Sequence, residues 1–108
     1  MSDLGDIDEV EELGPSDRET LEEVREVLEK RNATDRFGFF LLHSHFGLQP
    51  DETLIETVDR QGRTLTIRPG VPSENEGTLV PTAFRFMGNE IEAVQYCHRP
   101  KNSPVHAI

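Results

Sequence analysis

Phe37-Gly38-Phe39-Phe40-Leu41-Leu42-His43-Ser44-His45-Phe46 holds the longest uninterrupted apolar run of the chain, and its reading decides what fold to expect. Alternation along an extended backbone sets Phe37, Phe39 and Leu41 on one side and Phe40, Leu42 and Phe46 on the other, so the spacing predicts a strand covered on both faces. Such a strand belongs at the centre of a sheet, or at a contact between sheets or between two copies in a homodimer.

Downstream of this run the texture stays β-rich and is punctuated by turns. Thr53 to Asp59 reads as a second strand, Gln61-Gly62 as a hairpin turn, and Arg63 to Arg68 as a third strand with Leu65 and Ile67 on one face. Pro69 to Gly77 reads as a loop with glycines at hinge positions, Leu79 to Met87 and Glu90 to His98 as two further strands, and Gly88-Asn89 as the turn between them. Upstream, Ser16-Asp17-Arg18-Glu19 has the form of a capping box, in which the Ser16 hydroxyl accepts from the Glu19 amide and the Glu19 carboxylate reaches back. Leu21, Val24 and Leu28, with Val27 beside them, then form one apolar stripe opposite Glu22, Arg25, Glu26, Glu29 and Lys30, and Asn32 is a stop signal. The expectation is an α+β fold: one N-terminal amphipathic helix packed on an antiparallel sheet of about five strands. Residues 1–14 read as an acidic disordered arm and residues 15–108 as a single α+β domain.

Charge is concentrated rather than spread. The formal net charge is -10, and residues 1–30 carry twelve Asp or Glu against Arg18, Arg25 and Lys30, which leaves the rest nearly neutral. An acidic balance without clustered Lys and Arg argues against direct nucleic-acid binding, whereas it suits a basic protein partner. The single cysteine, Cys97, allows no internal disulfide, and the acidic start is the reverse of a secretory signal. With no run long and apolar enough for a membrane span, a soluble cytoplasmic protein is expected.

The candidate chemistry lies at the end of the opening stretch. On a strand, His43 and His45 project to the same side with Cα atoms about 6.5–7 Å apart, a geometry that chelates one metal ion. A strand-borne His-x-His resembles the opening of the cupin metal motif. That motif continues with a carboxylate four or five residues on, where this chain has Pro50 and Asp51, and with a later third histidine in a glycine-rich segment that this chain lacks, so the likeness stops at the pattern. Further ligand candidates are Cys97 and His98, with Glu56 and His106 behind them; zinc suits two His with a Cys, and iron suits two His with a carboxylate. Cys97 beside an imidazole also permits a thiolate nucleophile, although Gln95-Tyr96-Cys97-His98 matches no nucleophile signature. Arg85, alternating with Phe84 and Phe86, is a candidate anchor for a small-molecule carboxylate.

Two function classes follow. The first is a small metal-binding protein using the His-x-His pair with a divalent metal, zinc or iron, whether or not it is an enzyme. The second is a non-catalytic interaction or regulatory module whose sheet supplies the contact surface and whose acidic arm engages a basic partner.

Overall fold

The structure is a computed structural model, and it describes residues 4–75 and 78–99. It is α+β overall, with one α-helix and a four-stranded mixed sheet, and it divides into two compact units, one spanning Ser2–Phe46 and the other beginning at Gly47.

In the first unit a 3-10 turn at Pro15–Asp17 leads into helix α1, Arg18–Lys30. The start differs from the expected capping box. Pro15 opens the turn with its φ already set for a helix, and the Asp17 carboxylate, rather than Ser16 and Glu19, closes the end by accepting from the Gly14 amide at 2.9 Å. The far end follows the expectation, because Asn32 takes φ +55, the left-handed conformation that terminates helices. The Ala33 amide then donates to the Leu28 carbonyl at 2.7 Å and the Asn32 amide to Glu29 at 3.1 Å, the paired bonds of a Schellman stop. Arg25 bridges Glu22 and Glu29 on the exposed side, and these carboxylates hold its guanidinium further above its ordinary pKa.

The run from Phe37 to Phe46 does not form the first strand that was expected. After α1 the Phe37 amide is already committed to the Ala33 carbonyl, and Gly38 follows, a residue that weakens any strand. Phe37 and Phe39 instead line an open apolar groove of about 390 Å³ with Leu21, Val24 and Leu28 of the helix. Only Ser44 makes a bridge, and its partner is Asp6.

The second unit contains β1 (Thr53–Asp59), β2 (Thr64–Gly70), β3 (Leu79–Met87) and β4 (Glu90–His98), in the order β2-β1-β4-β3. The bounds of β1, β3 and β4 are those the alternation predicted, whereas β2 begins one residue later and ends two residues later than expected, so Pro69 and Gly70 belong to the strand and not to the loop. The sheet differs from the expected five antiparallel strands in number and direction: there are four, and β1 pairs with β4 in parallel, through Leu54↔Gln95, Ile55↔Tyr96 and Glu56↔Cys97. Local turns explain the two hairpins. Between β1 and β2 the Gly62 amide donates to the Asp59 carboxylate at 3.1 Å, and between β3 and β4 Gly88 takes φ +57 as the first residue of a two-residue loop. The segment expected as a loop after β2 contains a 3-10 helix at Pro72–Asn75, while Gly77 lies outside the described residues. Among the described residues no helix is long and apolar enough to cross a membrane.

Asn32 gives the first test. Asn32→Ala is expected to cost about 1 kcal/mol in urea unfolding, because alanine carries the full left-handed penalty, while Asn32→Gly holds or slightly raises stability. Equal losses in both would show that backbone conformation is not what ends the helix.

Candidate functional site

Each unit carries one grouping of interest. In the first, Ser44 separates the two histidines and is fixed on three sides by the amino-terminal segment: its amide donates to the Gly5 carbonyl at 2.8 Å, its carbonyl accepts from the Ile7 amide at 2.9 Å, and its hydroxyl donates to the Leu4 carbonyl at 3.2 Å. Residues 4–10, which the sequence argued to be without structure, thus hold the histidine segment. The Val10 and Glu9 amides both donate to the Asp6 carbonyl, which makes this stretch a compact turn.

The rings of His43 and His45 lie edge to face with centroids 4.9 Å apart, and Phe40 stacks on His43 at 5.5 Å. His43 Nδ1 sits 2.6 Å from the Leu41 carbonyl. Since a carbonyl oxygen can only accept, the contact is a hydrogen bond with the proton on Nδ1, which leaves Nε2 pointing away from it toward another partner. His45 is exposed and His43 half-buried, so the pair is open to solutes.

In the second unit Cys97 and His98 are consecutive in β4 and therefore face opposite sides of the sheet. Arg85 is in register with Glu92, on the His98 side and away from Phe84 and Phe86. Cys97 lies beside Glu56, whose carboxylate accepts a short hydrogen bond from the Gln95 side chain. Burial first, and the Glu56 charge second, push the Cys97 thiol above its ordinary pKa. That is the opposite of what a thiolate nucleophile needs. Among the described residues no three of His, Cys, Asp and Glu gather closely enough to hold a metal ion, and His106 lies outside those residues.

The feature that sequence reasoning saw only in parts is a whole sheet face. Residues opposite one another in register share a side. Register therefore assembles Leu65 and Ile67 of β2, Leu54 and Val58 of β1, Ile91 and Ala93 of β4, and Val80, Phe84 and Phe86 of β3 on one face, around the Glu56–Gln95 pair. The opposite face carries Thr57, Asp59, Thr64, Arg68, Arg85, Glu90 and Glu92 toward its ends, together with Ile55, Leu79, Met87, Val94 and Tyr96. The apolar face is open: Phe86 is 82% exposed and Ile91 66% exposed. Among the described residues no hydrophobic side chain is fully buried, and the one buried residue is Thr53, at 8%. Pairwise alternation in β2 and β3 pointed to the two outer rows; their union depends on β1 pairing with β4.

No protein family, curated protein or solved structure matches this chain.

The raised Cys97 thiol has a kinetic consequence. At neutral pH the thiol should react with a disulfide reagent more slowly than an unfolded control, and Glu56→Gln should speed it by withdrawing the neighbouring charge. A native rate equal to the unfolded one would show that neither burial nor Glu56 governs the thiol.

Proposed function

We propose that this chain is a non-catalytic interaction module that docks through the apolar face of its sheet. The observation that carries this reading is the pairing of an uncovered face, centred on Phe84, Phe86 and Ile91, with the absence of a buried hydrophobic core among the described residues. Domains are built from packed layers, and a sheet with one apolar side gains its stability when something covers that side. An exposed contiguous apolar patch of this kind marks an interaction surface. The acidic residues of 1–30 give a second, separate preference, for basic partners, that added salt weakens. A reducing, cytoplasmic setting fits the lone Cys97.

Cross-linking in extracts of the source cells tests the docking role. Links from residues bordering the apolar face are expected to fall by about tenfold or more in a Leu65→Glu, Ile91→Glu variant and to persist in Thr57→Glu, which alters the opposite face. Links scattered over both faces, or indifferent to the double substitution, would sink the reading.

A metal-binding role is the second reading, supported by the imidazole pair. Two nitrogens about 2.0–2.1 Å from a tetrahedral zinc place their ring centres roughly 5 Å apart, close to the spacing of His43 and His45. The bond from His43 Nδ1 to a backbone carbonyl is the outer-shell support that metal-ligating histidines ordinarily have. Zinc or iron would then complete its coordination with water or with donors beyond this pair. Protein purified without a histidine tag is expected to retain zinc that a His43→Ala, His45→Ala variant lacks; negligible metal in both ends this reading.

A further inference from the structure

We propose that the apolar sheet face is covered by the same face of a second copy of this chain, so that the working form is a two-sheet homodimer; the inference rests on the docking role given to that face. Three observations single out the occupant.

The first is what the second unit contains. Among its described residues there are four strands and one 3-10 turn, and this unit supplies no second layer of its own. Two identical sheets stacked face to face restore the two-layer arrangement, with inner faces about 10 Å apart.

The second is size. Four strands at about 4.8 Å spacing, rising roughly 3.3 Å per residue, form two staggered ribbons, each about 10 Å wide and about 23–30 Å long, joined at three register pairs, with a combined face of roughly 500 Å². Two such faces together remove on the order of 1,000 Å² from water, the lower bound for a specific interface.

The third is charge. A chain of net charge -10 repels its own copies over most of its surface. The apolar face is the exception, since its strand residues include no Lys or Arg and a single carboxylate, Glu56, which is engaged by Gln95. Arg60, just beyond β1, is near enough for its charge to act on Cys97. Asp59, Glu90 and Glu92 point the other way. A partner selected by charge would meet the acidic residues 1–30; this face selects by apolar surface, and a second copy presents the same one.

Glu56 then becomes the diagnostic residue. In the dimer its carboxylate leaves water near the middle of the contact, a desolvation that opposes association. Removing that charge should therefore tighten the dimer.

Sedimentation velocity on the full chain across micromolar concentrations, at low and at high salt, decides the matter. The native chain is expected to dimerise, and to dimerise more tightly at high salt, because screening removes repulsion between acidic copies. Phe86→Asp should weaken the dimer by about 100-fold or more, and Glu56→Gln should tighten it by roughly tenfold. Phe86 is so exposed in the single chain that Phe86→Asp should leave the far-ultraviolet circular dichroism spectrum of the monomer unchanged, which separates lost association from lost folding. A native chain that stays monomeric overturns the inference, as does a dimer that loosens with salt or ignores Phe86→Asp. A monomer whose face still cross-links to a different protein overturns the homodimer alone. A monomer with no face-directed links overturns the docking role as well.

Discussion

Parallel pairing between β1 and β4 is the constraint on which the sheet depends. Each of the hairpins β1–β2 and β3–β4 is held by its own local ladder, and a two-stranded ribbon alone is marginal in water. Three register pairs join them, and side chains reinforce the joint: the Thr53 hydroxyl donates to the Val94 carbonyl at 3.0 Å, and Gln95 bonds Glu56 across the same two strands. Thr53 is also the one buried residue among those described, so the most protected point of the sheet is a polar clamp at this joint. Without it, the rows headed by Leu65 and by Phe86 would be two narrow strips instead of one apolar face.

The parts of the fold that were legible in the sequence are those determined by neighbours along the chain. Period-two alternation marked the ends of β1, β3 and β4, the hairpin turns lay where Gly62 and Gly88 stand, and Asn32 ended the helix through its tolerance of positive φ. The order of the strands was not legible, because a meander and the observed β2-β1-β4-β3 order share the same hairpins and differ only in which distant strands meet. The stretch from Phe37 to Phe46 misled for a related reason. Its alternation suits a strand with cover on both sides, but the Phe37 amide is taken by Ala33, and the aromatic rings meet the apolar stripe of α1.

The histidine pair comes together by a route that the sequence did not suggest. His43 and His45 are neighbours in space, yet strand alternation is not the cause; Ser44 is pinned by Leu4, Gly5 and Ile7, and the flanking rings come together around it. Composition hid that anchor, since an acidic stretch with apolar residues at every third position reads as solvated chain. The apolar face was hidden differently. Leu65 with Ile67, and Phe84 with Phe86, were visible as separate pairs, and only tertiary register combines them.

The joint between β1 and β4 also bears on the order of assembly. Thr53 and Val94 are 41 residues apart, whereas each hairpin closes over a handful. Closing a long loop costs more chain entropy than closing a short one, and that cost falls due before the contacts that offset it are made. The hairpins therefore lie on the fast side of the folding barrier, and docking of one ribbon onto the other is the slow, topology-limited step. Until it occurs, the edges of β1 and β4 stand open, and the newly made chain is at its most prone to pair with a stranger.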